Sequence, residues 1–193
     1  MREIEGCTAK STDDQPSGVI EVTLLMEAQP ALELTAFFPE AIRLAREAEL
    51  SGNLPIGAVI VLDGEIIGRG MNAIYQPELG LTRHAEMEAL RAVSPGLWDR
   101  SAEMTLLTTL EPCLMCAGAI LLHRIGRLLY GSRDPIGGAT ISLERLPPYF
   151  QEQLASIQWI GPAFAEGCDP LFARVQELER RRGTSALFEA VEG

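Results

Sequence analysis

At 193 residues and 47% hydrophobic content, with no apolar run approaching the roughly 18 residues of a bilayer span, the chain reads as globular, with one well-buried core and no membrane segment. A formal net charge of −11 argues against broad, unspecific nucleic-acid binding, yet permits a local basic groove; of the 16 basic residues only Lys10 is a lysine, so phosphate contacts would fall to arginines. The N-terminus lacks the basic, apolar and small-residue order of a signal peptide, so the expected compartment is the cytoplasm, where four cysteines, two of them three positions apart, read as metal ligands and not as disulfides.

Residues 1–35 read as an acidic N-terminal extension. Its first half is polar and turn-rich, and residues 19–26 form an apolar, partly β-branched run suited to an edge strand. Packing against the domain or contact with another subunit is its expected role, with a disordered lead-in as the alternative. The folded domain is expected over 36–183, with a tail at 184–193. Phe37, Phe38, Ala41, Ile42, Leu44, Ala45 and Ala48 recur at helical spacing and predict a helix over about 34–50, stopped near Ser51-Gly52. Residues 55–62 read as a buried strand, Asp63-Gly64 as a hairpin turn and 65–72 as the returning strand. A loop over 73–82 leads to a helix near 84–93, and 104–109 is a third strand that ends at the cysteines. A helix over 116–124, a strand at 128–131, a long Gly/Pro-bearing loop, a short strand at 157–160 and a helix over about 169–182 complete the pattern. Strands alternating with helices argue for a layered α/β fold with one mixed sheet.

The chemistry lies in Leu110-Glu111-Pro112-Cys113-Leu114-Met115-Cys116 and His84-Ala85-Glu86. Two cysteines three apart at a helix start point their sulfurs to the same side and can grip one ion. Pro112 suits the passage from strand to helix, which places Cys113 in the first helical turn, where the partial positive charge of the helix N-terminus favours a thiolate. Zinc takes four ligands, and a catalytic site usually leaves one for water; His84, Cys113 and Cys116 would make the other three. Two thiolates offset most of the zinc's charge, so such a water is less acidified than in an all-histidine site, where its pKa is about 7, and a base is needed. Glu86 fits that role, able to take a proton from water and deliver it to a ring nitrogen and a departing amine. Two other readings of Cys-x-x-Cys stand beside this one: a redox dithiol, and a structural zinc whose fourth ligand would come from Cys7, Cys168 or His123.

His-x-Glu followed by Pro-Cys-x-x-Cys is the known signature of the zinc nucleobase deaminases. With Leu54-Pro55-Ile56-Gly57-Ala58-Val59, Thr108-Thr109 ahead of the cysteine motif, Ala117-Gly118-Ala119 after it and Tyr130-Gly131-Ser132-Arg133-Asp134, the chain resembles the bacterial tRNA adenosine deaminases of the cytidine deaminase-like superfamily over roughly residues 37–182. The resemblance implies a three-layer α/β/α fold around a five-stranded mixed sheet, one Zn2+ per chain, a homodimer, and hydrolytic replacement of an exocyclic amine by oxygen. It further implies that Asn72 hydrogen-bonds the base, that the Ala85 backbone helps hold it and that Asp134 lies beside the ribose. Asn72 also reads simply as a strand-end turn residue. The implied substrate carries a nucleobase, with a tRNA anticodon loop as one candidate; free bases or nucleosides are the alternative, and a non-catalytic zinc-stabilised interaction module is the alternative of another class. Two departures bear on substrate: Gly80-Leu81-Thr82-Arg83 stands where the tRNA enzymes usually carry Asp-Pro-Thr-Ala, and Pro135-Ile136 follows Asp134 without the usual basic residue. Arg180-Arg181-Arg182 offers positive charge, diluted by neighbouring glutamates.

Overall fold

The computed structural model describes residues 30–183, so the strand expected at 19–26 and the tail at 184–193 lie outside the described residues. Helices α1 (Pro30–Thr35) and α2 (Phe38–Leu50) lead into β1 (Gly57–Leu62) and β2 (Glu65–Met71). Then come α3 (Ala85–Ala92), a 3-10 segment (Pro95–Glu103), β3 (Thr105–Leu110), α4 (Leu114–Leu122) and β4 (Arg127–Ser132). A second 3-10 segment (Ala139–Arg145), α5 (Pro148–Leu154), β5 (Gln158–Ile160) and α6 (Ala165–Arg181) follow. None of these helices is long and apolar enough to cross a membrane.

The strands form one sheet in the order β2-β1-β3-β4-β5, antiparallel on either side of β1 and parallel from β3 to β5, which is the five-stranded mixed sheet expected. Side-chain alternation divides its core in two. Ala58, Ile60, Leu106 and Leu128 meet Ala89 and Leu90 of α3 and Ile120 of α4 on one face. Val59, Val61, Leu107 and Leu129 meet Phe38 and Leu44 of α2 and Cys168 of α6 on the other. β1 and β3 are buried along their whole length, as strands covered on both faces must be.

Four local expectations change. The single helix expected over 34–50 is broken by a turn at residues 36 and 37, because Pro39 has no N–H to donate and fits only a first turn, so α2 starts afresh beside it. Cys113 lies outside the first turn of α4: it is the N-cap, extended at φ −71° and ψ 172°, and the helix runs from Leu114 to Leu122 instead of over 116–124. The long loop after β4 contains α5, which starts at the second of two prolines. Helix α6 begins at Ala165, ahead of the expected 169, and carries Pro170 in its interior, where one intrahelical hydrogen bond is forgone.

The β1–β2 hairpin turns through Asp63 (φ 53°) and Gly64 (φ 76°), and Arg100 pairs with both Asp63 carboxylate oxygens at 2.8 and 3.0 Å. A Cβ on Gly64 would meet no atom within 4 Å, so Gly64→Ala is opposed by backbone conformation alone. The expected loss is about 1 kcal/mol, read as a lowered urea midpoint at constant slope.

Candidate metal centre and active site

Two helix starts converge to make the site. β2 hands the chain to a loop ending at His84, the extended N-cap of α3; β3 hands it through Glu111 and Pro112 to Cys113, the N-cap of α4, with Cys116 one turn later. His84 Nδ1 lies 3.6 Å from Cys113 Sγ, and the ligand atoms of His84, Cys113 and Cys116 all fall within 4.8 Å of one another. Bond lengths of about 2.0–2.1 Å to nitrogen and 2.3 Å to sulfur put tetrahedral zinc donors roughly 3.5–3.8 Å apart, which the His84–Cys113 separation matches, so the chemistry of this donor set fits zinc. Among the described residues this is the one such metal-binding group, and it holds neither of the other two candidates for a fourth ligand in that region. Cys168 is buried in the opposite core against Gly131, and His123 caps the far end of α4 with Nδ1 2.8 Å from Ala119 O. Cys7 lies outside the described residues. Three ligands suit an open catalytic site, not a closed structural one.

Glu86, 4% exposed in the first turn of α3, sits against this group. Thr108 Oγ1 of β3 donates to its Oε1 at 3.2 Å, and Cys116 Sγ lies 3.5 Å from its Oε2, so one carboxylate oxygen is tethered to the sheet and the other turned to the metal ligands. Burial pushes the Glu86 carboxyl above the usual range. A hydrogen bond from Cys116, reinforced by His84, draws the Cys113 thiol down to about 4. Cys116, the donor in that bond and itself buried, is pushed up and retains its proton, while the Cys113 contact raises His84. Zinc binds thiolates, so its uptake at these cysteines would release protons and depend on pH.

Asn72, fully buried after β2, accepts at Oδ1 from Leu54 N (3.4 Å) and Ile74 N (3.3 Å). Its buried Nδ2 has no hydrogen-bond partner among the described residues. Ala85 is fully buried as the first residue of α3, its carbonyl facing Gly70 of β2. Asp134 spends Oδ1 on its own loop, accepting from Ile136 N (3.0 Å) and Gly137 N (2.9 Å). Arg83 turns toward Glu88, with Nε and Nη2 each 3.4 Å from its carboxylate. Arg182 stacks over the Tyr75 ring at 3.7 Å and donates to Gly52 O at 2.9 Å, and Arg181 pairs with Glu177.

Three residues that support the site carry no role on sequence grounds. Glu111, 3% exposed, accepts from Asp134 N and Thr140 N, both at 3.0 Å, and so ties both ends of the loop after β4 to the cysteine segment. Ala139 N bonds Pro112 O at 2.9 Å, and Gly138 pairs with Cys113 in an isolated bridge. Asn53 Oδ1 accepts from Tyr75 N (2.8 Å) and Gln76 N (3.0 Å), shaping the loop that leads to His84. Thr109 Oγ1 accepts from Gly57 N at 3.1 Å. The available signal for Glu111 is a carboxylate flanked by apolar strand residues and a proline, which must find donors if buried.

Comparison with known proteins bears on the same segments. The family model described as the cytidine and deoxycytidylate deaminase zinc-binding region matches residues 33–132. The tRNA-specific adenosine deaminase of Bacillus subtilis (strain 168) is 45% identical over 114 residues, spanning 57% of this chain and 68% of that protein. A chain solved in work on A-to-I editing by tRNA:A34 deaminases superposes with a TM-score of 0.54 at 41% identity, over 60% of this chain and 92% of that one. The diaminohydroxyphosphoribosylaminopyrimidine deaminase/5-amino-6-(5-phosphoribosylamino)uracil reductase of Thermotoga maritima gives 0.57 at 29% identity, over 74% of this chain and 40% of that one. Because the family match runs through both helix starts that bring the imidazole and the sulfurs together, the chain belongs to the cytidine and deoxycytidylate deaminase zinc-binding family and is a zinc-dependent hydrolytic deaminase.

Proposed function

We propose that the protein deaminates adenosine to inosine in tRNA, at the wobble position of the anticodon loop. The observation that carries this reading is 45% identity to a tRNA-specific adenosine deaminase along a stretch covering 68% of that enzyme. The solved tRNA:A34 deaminase chain supports it at 41% identity.

His84, Cys113 and Cys116 would hold the zinc, whose chemistry when bound is to lower the pKa of a water and so supply a nucleophile at neutral pH. The rest falls to the protein. Glu86, with Oε1 anchored by Thr108 and Oε2 turned toward the metal ligands, would carry two protons in turn, the attacking water's to the ring nitrogen and then the added hydroxyl's to the departing amine. Asn72 holds the base: with Oδ1 occupied by two backbone N–H groups, Nδ2 is left as a fixed donor for a ring acceptor. Ala85 supplies a backbone contact to the base and Asp134 stands beside the ribose. The chain divides into an extension over 1–35, the deaminase domain over 36–183 and a tail over 184–193, and works as a cytoplasmic homodimer. Leu114 (57% exposed), Leu122 (55% exposed) and the open surface at Gly118, one helical turn apart along α4, support a second copy as the partner.

Asn72→Ala is expected to raise KM for the RNA substrate about ten-fold or more, since a hydrogen bond from a buried donor is lost, and steady-state kinetics on a stem-loop read it. Deamination of free bases or nucleosides is a second reading, favoured by the net charge of −11. Inosine formation in an anticodon stem-loop, run beside ammonia release from guanine, cytosine, adenosine and cytidine, decides between them. Inosine in the stem-loop is the expected result; ammonia from a free base or nucleoside with an unmodified stem-loop overturns it.

A further inference from the structure

Three arginines of this acidic chain meet in one concavity beside the loop that leads to the site. Arg69 of β2, Arg83 at the foot of the loop before His84 and Arg91 of α3 line an open cleft of about 350 Å³, with Glu88 of α3 as its one carboxylate. Glu88 serves two guanidiniums at once, Arg83 at 3.4 Å and Arg91 at 3.6 Å, both longer than the roughly 2.7–2.9 Å of a close charge-assisted pair. One negative charge shared loosely by two positive ones leaves an excess, and the guanidiniums keep donors for another acceptor. Arg69 pairs at 2.7 Å with Glu40 outside the cleft while its side chain stays 51% exposed, and that of Arg91 is 70% exposed.

The cleft adjoins the two ends of the loop that joins Asn72 to His84. Ala73 N donates to Arg83 O at 2.9 Å, closing the base of the loop whose ends are Asn72 and His84, and both Ala73 and Arg83 belong to the cleft wall. From there the wall follows α3, whose eight residues rise about 12 Å, to Arg91 in its last turn. A polynucleotide with one base at Asn72 and the zinc ligands would have its flanking backbone at the mouth of this cleft. Elsewhere the net charge of −11 repels a polyanion, so a local positive channel is where one would settle.

We infer that the Arg69–Arg83–Arg91 cleft binds phosphodiester groups of the RNA strand flanking the target nucleotide, and that Glu88 orients its guanidiniums while tempering their attraction. This rests on the RNA reading above. The test uses the full-length, zinc-loaded protein and a stem-loop already carrying inosine at the target position, so that binding is measured by fluorescence anisotropy without turnover, over a range of salt. A protein that neutralises phosphates loses affinity linearly with the logarithm of salt concentration, by about 0.7 per phosphate for single strands. Arg69→Gln combined with Arg91→Gln is therefore expected to flatten the slope by about 1.4 and to weaken binding at low salt at least ten-fold. Glu88→Gln is expected to tighten binding several-fold, an increase that general loss of structure cannot produce. Arg124→Gln, at the far end of α4, should leave the slope unchanged.

A double variant with the parent's slope and affinity, or a Glu88→Gln protein that binds more weakly, overturns the inference. If the parent binds and edits the stem-loop while the double variant matches it, only the cleft is refuted. If the parent binds no RNA yet releases ammonia from a free base, the RNA reading falls and the cleft with it.

Discussion

Replacing Glu86 by glutamine is expected to leave one zinc per chain and reduce kcat by about 10²- to 10⁴-fold, the range in which a positioned proton-transfer group contributes. The substitution keeps shape and burial, and the amide can still accept from Thr108 Oγ1, so the fold has no reason to change. What disappears is a group able to accept a proton and give it back. Cys113→Ala makes the complementary case: it removes a ligand and should lose metal and activity together, as elemental analysis beside the rate assay would show. Metal retention with lost turnover in the first variant, and joint loss in the second, separates proton transfer from metal binding. Turnover by Glu86→Gln near the parental rate would remove the carboxylate from the mechanism.

Gly70→Ala is expected to be among the most damaging single-methyl changes in the described residues. A Cβ at Gly70 would stand 2.0 Å from Ala85 O, 2.3 Å from Ala89 N and 3.0 Å from Ala89 Cα, all backbone atoms of α3 that cannot rotate aside. The helix must back away from β2. Overpacking of this kind costs about 3 kcal/mol, or roughly 6–12 °C in Tm for a chain of this size. The displaced helix also carries the site: His84 is its N-cap and Glu86 lies in its first turn, so zinc retention against a chelator should fall along with stability. Gly96→Ala, where nothing lies within 4 Å, is the matched control and should stay within about 0.5 kcal/mol of the parent. A Gly70→Ala protein with parental Tm and metal retention would mean that α3 can back away from β2 at no cost.

Both expectations draw on features that differ in how readable they are from the chain. The candidate metal ligands are readable because their geometry is largely local. Cys113 and Cys116 sit one helical turn apart, and an Asp-Gly turn between two apolar runs announces the β1–β2 hairpin. Even so, both His84 and Cys113 are N-caps in extended conformation, placed just outside the helices they begin. Caps are set by where backbone hydrogen bonding stops, and propensity locates that only to within a residue or two. The helix α5 escapes a reading of the segment after β4 as loop because Pro135, Gly137, Gly138, Pro147 and Pro148 punctuate it, although Pro148 is in fact a good first helical residue.

By itself the sequence picked out three candidate zinc ligands that the fold brings together, the carboxylate beside them, the number of strands and the mixed sheet, since each depends on spacing along the chain or on apolar periodicity. Only the tertiary structure decided that Glu111 clasps the backbone of Asp134 and Thr140, that Thr108 aims Glu86, that Gly70 lets α3 lie against β2 and that Arg69, Arg83 and Arg91 share one cleft. These are meetings between segments remote in sequence. A buried carboxylate takes whichever donors the packed backbone brings to it, and guanidiniums share a cleft only because a strand edge and a helix happen to flank it, which no local pattern encodes.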